Sequence, residues 1–364
     1  MTAALLPETI EVYRSIVGER RRLWPLNRRA SPDAIRRFAL GVGDDNPLWW
    51  GDADGVQVWA SPTFPYTGVN FGTWPDLGGP QRKPQPLTTL WAGDHWTWTR
   101  RLAVDEPFEA AAEFVGVSEK VADGRATLLK VRERVTFTGE DGEAFASFVR
   151  TTAVMPRRED APAAAPPSPL TAGDLERVAQ CYDAEPARRE AARGRTFADV
   201  AVGDTAGPIV KGPLNVTSLV GFAIGWGAPL CPTNRILHQW TSAHPDSCVT
   251  NARTGWPEGS EGIHWDPDVF GVFGYDRGFD FGPQRISWVA HLCTDWCGEA
   301  GVLLDLDARL LAPNYIGDVT WLTGEVTAAR RDEQGWGLVE LTVEGRNQRD
   351  ELTTSARALI ALPD

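Results

Sequence analysis

The chain has 364 residues, with 36 Lys and Arg against 49 Asp and Glu, for a formal charge of −13. No domain-wide basic field is available to replace phosphate counterions, which excludes a nucleic-acid partner; no apolar run approaches the ~18 residues of a membrane span, so no membrane partner is expected. Roughly 100–200 residues per domain favours two domains, and 42% hydrophobic with 23% charged residues is ordinary for a globular protein.

The opening residues place Glu8 and Glu11 early and lack an apolar core of signal-peptide length, so no targeting segment is read. The five cysteines are an odd set without disulfide-scaffold spacing, which fits a reducing cytoplasm. Arg20, Arg21, Arg22, Arg28, Arg29, Arg36 and Arg37 form local basic clusters, either a solvated face or the rim of a pocket for one anionic ligand. Ser31 to Gly43 predicts a helix, with Ser31 as a capping side chain, Ile35, Phe38 and Ala39 at helical spacing, and a Gly-any-Gly stop. It runs into the stretch Phe38–Asp52, FALGVGDDNPLWWGD. His95 alternates with Trp96 and Trp98 on a strand, at a pocket or an interface. Residues 127–156 alternate apolar and polar, break at Glu140-Asp141-Gly142 and resume, which predicts two long antiparallel strands.

Pro156 to Leu170 is rich in Pro and Ala and reads as a linker. Beyond it the pattern repeats. Asn215 to Gly227 predicts a second helix, with Asn215 as cap, Leu219, Phe222 and Ala223 at the matching positions, and the same Gly-any-Gly stop. Residues 337–363 again alternate and break at Arg349-Asp350. The chain therefore contains one unit twice. The expected organisation is a first domain over 1–156, a linker over 157–170 and a second domain over 171–364, with a polar insertion at about 230–262. Sixteen tryptophans suggest a wide, aromatic-lined cavity. Cys293 and Cys297 sit i,i+4 on a predicted helix and are expected to be buried thiols; no metal or cofactor is expected.

These blocks resemble the MaoC-like hydratases and dehydratases over nearly the whole chain. Gly43-Asp44-Asp45-Asn46-Pro47-Leu48 resembles the hydratase signature, Phe197–Ala223 the family's opening, Leu310–Arg331 a strand pair, and the last hairpin its close, with Asp350 where Gly is usual. The resemblance implies an α+β fold, a double hotdog in which each half wraps an antiparallel sheet around one long helix. It implies addition of water to, or its removal from, a 2-enoyl thioester, in the manner of the R-specific enoyl-CoA hydratases. An Asp and a His five residues later do the proton work in that family, and a glycine before the long helix offers its N–H to the thioester oxygen.

Here the pattern breaks. Asp44 stands at the family's Asp position, but Trp49 replaces the His, and an indole cannot accept a proton. Asp44 can also be read as a turn cap before Asn-Pro. In the second half Ala228 replaces the Asp, while His264 matches the catalytic His, Asp266 the residue two beyond it, and Gly282 the oxyanion glycine, with Phe281 in place of a histidine. The helix after Pro283 runs through Trp288, His291, Leu292 and Trp296. A carboxylate for His264 is expected from Glu258, or across the halves from Asp44, with Glu261 a weaker candidate. Substrate contacts are assigned to Gly282, Phe281, Asp266, Trp49 and His291, the last also readable as a core histidine. The function implied is hydration or dehydration of a bulky acyl thioester, on CoA or a carrier protein, in a cytoplasmic homodimer or with a hotdog partner. The alternatives are a non-catalytic acyl-binding subunit and a specialised lyase or cyclase. No G-x-S-x-G elbow or G-x-G-x-x-G loop supports a hydrolase or a dinucleotide fold.

Overall fold

In the computed structural model, residues 4–21, 23, 27–51, 59–69, 84–157, 169–227, 233–245 and 248–364 are described. The first half contributes α1 (Pro7–Ser15), β1 (Arg20–Arg21), α2 (Pro32–Val42), α3 (Pro47–Trp50), a 3-10 turn at Phe64–Gly68, and β2 (Leu87–Trp98), β3 (Phe108–Ala122), β4 (Arg125–Gly139) and β5 (Ala144–Pro156). The second contributes α4 (Ala172–Ala192), β6 (Thr205–Lys211), α5 (Val216–Trp226), α6 (Asn234–Ala243), β7 (Cys248–Thr250), β8 (Pro257–Gly259), α7 (Pro267–Phe270), α8 (Gly282–Cys297) and β9 to β12 (Val302–Leu310, Thr320–Arg331, Gly337–Asn347, Leu352–Leu362).

Ten strands form one sheet in the order β1-β3-β4-β5-β2-β9-β12-β11-β10-β6, with every described pairing antiparallel. The halves meet where β2 pairs β9, from Gly93↔Arg309 to Thr97↔Asp305. At that seam His95 Nε2 lies 2.7 Å from Asp305 Oδ2 on the exposed face, while Trp96 and Trp98 turn into the core. This is the double hotdog sheet, and α8 is the long helix of its second half: Pro283 to Cys297 are all buried. Most of the linker, residues 158–168, lies outside the described residues. No described helix is long and apolar enough to cross a membrane.

The capping chemistry is as the sequence reads. Ser31 accepts from Ala34 N–H at the start of α2, and Asn215 accepts from Ser218 N–H at the start of α5. Gly43 and Gly227 close the two helices in the left-handed region at φ 69° each. At the β11–β12 turn Asp350 adopts φ 60°, the conformation that glycine usually supplies. The two helices then pack on each other. Phe38 and Phe222, both fully buried, meet with ring centroids 6.2 Å apart, so equivalent positions of the repeat face one another. The approach is close enough that a Cβ on Gly225 would fall 2.6 Å from Arg37 O, and one on Gly41 would fall 2.9 Å from Gly221 O. The α4 helix has no counterpart in the sequence analysis. A reciprocal cap between Thr171 and Asp174 starts it, and it lies against β6 and α8.

The crossing makes a paired prediction. Gly225→Val forces the helices apart and costs roughly 1–3 kcal/mol as overpacking. Gly221→Ala, on the same helix with nothing within 4 Å of the new carbon, gains up to about 1 kcal/mol from helix propensity. Urea unfolding of both variants measures the contrast.

Candidate active site

A cavity of about 400 Å³ opens at the N-terminus of α8, within the size range of small-molecule sites. Its walls include Trp91, Trp226, Phe279 and Phe281, and its polar groups include His264, Glu261, Gly282, Asp280, Arg285 and Arg150. Phe281 stands at the N-cap and has no acceptor, and Pro283 follows with no N–H. Among the described residues nothing hydrogen-bonds the Gly282 N–H, one of the orphan donors at the positive end of the helix. A side chain is excluded there, because a Cβ on Gly282 would fall 2.3 Å from Trp91 Cγ.

Trp91 is fixed from behind. Its indole N–H donates to Asp94 Oδ1 at 2.8 Å, Tyr66 O–H donates to Asp94 Oδ2, and Trp96 N–H donates to Tyr66 at 2.9 Å. Burial pushes the Asp94 carboxyl up to about 7, against the pull of these donors. The Arg150 guanidinium lies over the Trp91 ring, 4.9 Å from its centroid. The cavity floor is clamped by Arg285, which grips both oxygens of Asp280, Nε to Oδ2 at 2.6 Å, while Asn314 donates to the same carboxylate. Asp280 is thus fully engaged and holds a corner rather than offering a free acid.

His264 ends the 3-10 turn Ser260–His264. Its ring lies on Phe281 with centroids 3.8 Å apart, and its Nδ1 is 2.7 Å from Phe279 O. A carbonyl only accepts, so Nδ1 carries the hydrogen and Nε2 of the neutral ring is a bare acceptor. The ring is enclosed by protein and its open edge faces the cavity; burial lowers its pKa to about 4. Glu261 lines the same cavity, and burial raises its carboxyl to about 7.

The structure therefore gathers His264, Phe281 and Gly282 around one cavity, and with them Glu261. It does not bring Glu258 or Asp44 to His264: among the described residues no carboxylate makes an ion pair with that ring. Glu258 is carried on the β7–β8 hairpin opposite Val249 and does not line the cavity. Asp266 caps α7, accepting from Asp268 N–H at 2.9 Å, and is likewise absent from the cavity wall. Ala228 lies outside the described residues. Trp49 is buried in the first half beside a cavity of only about 30 Å³, the room of a single water.

His291 and Asp44 meet elsewhere. His291 is wholly buried on α8, and its Nε2 faces Asp44 Oδ1 at 3.3 Å, Asp295 Oδ2 at 3.4 Å and Glu185 Oε1 at 3.5 Å. Lys211 Nζ contacts His291 Nδ1 at 2.9 Å and donates to Gly43 O at 2.6 Å and Val42 O at 3.3 Å. Burial pulls the Lys211 pKa down, against the surrounding carboxylates. Asp295 is held below the usual carboxylate range, because His291 and Arg189 outweigh the effect of burial. Lys211, Glu185, Arg189 and Asp295 were not singled out from the sequence. Only Asp295, one helical turn after His291, left a signal there.

No protein-family model matches the sequence, and no curated protein matches it. Solved structures do. A MaoC-like dehydratase is similar over 97% of this chain and 100% of its own, at 15% identity and a TM-score of 0.62. A conserved hypothetical protein from Mycobacterium tuberculosis with a double hotdog fold is similar over 95% and 96%, at 16% and 0.54. A MaoC-like dehydratase from Phytophthora capsici is similar over 98% and 99%, at 9% and 0.53. This chain has the double hotdog fold of the MaoC-like dehydratases.

The shifted groups give opposite signatures in stability. Glu261 sits at about 7 in the fold against an ordinary 4.5, so the folded state binds more protons between those values; stability falls as pH rises from about 4.5 to 7, and Asp94 acts in the same sense. His264 is lowered from 6.5 to about 4, so it removes stability as pH falls through that window. Glu261→Gln is therefore expected to gain on the wild type from pH 5 to about pH 7 in urea unfolding and to level off above it. Parallel curves for the two proteins would refute the shift.

Proposed function

We propose that the protein adds water to, or removes it from, a bulky 2-enoyl or 3-hydroxyacyl thioester in the cavity at the start of α8. One observation carries this reading: a free helix N–H, an unprotonated imidazole nitrogen and a carboxyl group poised near 7 line a single aromatic cavity. A carboxyl held near neutral pH suits a group that takes a proton and gives it back.

In hydration, His264 Nε2 accepts a hydrogen bond from the water and orients it. The Glu261 carboxylate takes a proton as the water oxygen bonds to the β-carbon. The electron pair of the double bond moves onto the thioester oxygen, which meets the Gly282 N–H and the positive end of α8. Glu261 then returns the proton to the α-carbon, so one water is added and the side chain is regenerated. Dehydration runs through the same states in reverse and also starts from the Glu261 carboxylate. The aromatic walls favour a cyclic or branched acyl group, and the carrier is CoA or a carrier protein.

The test is hydration of a cyclic or branched 2-enoyl-CoA by the purified protein. Glu261→Gln and His264→Ala are each expected to slow turnover by roughly 10²–10⁴-fold, while Glu258→Gln stays near the wild-type rate. The rate should rise through about pH 7 as Glu261 ionises. Full activity in the Glu261 variant removes it as the proton carrier. The bare His264 ring, without a carboxylate partner, also supports a second reading as an acyl-binding subunit. Wild-type protein that binds the thioester but never turns it over would establish that reading instead.

The assembly we propose is a homodimer or a pair with a hotdog partner. The outer face of the α2–α5 pair exposes Leu40, Val220 and Ile224. Light scattering at micromolar concentration should give twice the chain mass, and a clean monomer refutes the homodimer.

A further inference from the structure

We propose that Asp44, His291 and Asp295, with Glu185 beside them, form a binding site for a divalent transition-metal cation of the zinc class. Asp44, His291 and Asp295 each present one donor atom within 4.8 Å of the others, and all three residues are buried. The distances from His291 Nε2 to the three carboxylate oxygens are 3.3, 3.4 and 3.5 Å. Tetrahedral bonds of about 2.0–2.1 Å to zinc have edges of about 3.3–3.4 Å. The three distances from His291 Nε2 are close to tetrahedral edges, and the donor atoms of Asp44, His291 and Asp295 lie within 4.8 Å of one another.

Two unsatisfied atoms point to a missing partner. His291 Nε2 and Glu185 Oε2 are both buried without a hydrogen bond, on residues only 1% and 8% exposed. Asp44 and Asp295 are also held by neighbouring donors. Asp44 Oδ1 also accepts from Asn46 N–H at 3.1 Å, while Asp295 Oδ1 accepts from Asn46 Nδ2 at 3.1 Å and Arg189 Nε at 2.9 Å. That leaves Asp295 Oδ2 directed at the site.

Charge fits a cation. The three carboxylates face Lys211 and Arg189, so the buried group carries one unmatched negative charge. Glu185 and Asp295 retain a little exposure beside the solvent-exposed Asp45, which gives the ion a way in. The site lies apart from the cavity at Gly282 and joins the Asp44 loop of the first half to α4 and α8 of the second, so its role is to pin the halves.

The experiment is elemental analysis of the full chain expressed in zinc-supplemented medium and dialysed, followed by chelation and by thermal unfolding with and without added zinc. About one zinc per chain and a melting temperature several degrees higher with metal are expected, and both should be lost in Asp44→Asn and weakened in Glu185→Gln. Cobalt titration of the wild-type protein keeps the test independent of how the variants fold. Tetrahedral visible bands without thiolate charge-transfer absorption support the site. Retention of no metal together with an unchanged melting temperature overturns it, as does thiolate absorption, which would move the ion to Cys293 and Cys297.

Discussion

Complete burial of α8 is the constraint from which the rest of the structure follows. Fifteen consecutive residues from Pro283 to Cys297 are enclosed by the sheet and by α4. Every polar group along them must find its partner inside the protein. Thr294 answers by donating to His291 O at 3.1 Å and Ser287 by donating to Pro283 O at 2.8 Å. Two places are left open. One is the first turn, where Gly282 faces a cavity. The other is the level of His291, where the imidazole meets carboxylates from two other segments and from its own next turn. Both are consequences of putting a helix with polar residues where no bulk water can reach.

The two halves share a plan and differ in what fills it. In the first, the indole of Trp49 occupies the position where the family's histidine would stand, and about 30 Å³ remains. In the second, His264 is flanked by the aromatic rings of Phe279 and Phe281, and about 400 Å³ remains. Burial in that aromatic wall acts on His264 and Glu261 together, driving the imidazole down and the carboxyl up, each chiefly by desolvation rather than by a charged partner.

What could be read from the sequence was local. Ser31 and Asn215 cap helices because capping depends on three or four neighbouring residues, and the hairpins around Gly142 and Asp350 follow from alternation and one turn. His264, Phe281 and Gly282 were legible because their segments lie close in the chain and keep the family's order. The α4 helix was missed because its buried positions are few, Val178, Glu185 and Ala192, and leave almost no apolar stripe. That Glu261, and not Glu258, lines the cavity was not legible for another reason. Glu258 and Glu261 are separated by two residues, and which of them faces inward depends on the β7–β8 pairing followed by a 3-10 turn. No periodicity in the sequence encodes that reversal.

Asp44 shows how a motif can survive its chemistry. The Gly-Asp-any-Asn-Pro turn still forms: Asn46 N–H donates to Asp44, and Leu48 N–H donates to Asn46 at the start of α3. Its polar groups also reach across the repeat, Asn46 to Asp295 and the Gly43 carbonyl to Lys211. Asp44 itself stands against His291, 247 positions along the chain on a residue that carries no signature of its own. The partners this loop holds come from β6, α4 and α8, so its polar groups tie the first half to the second.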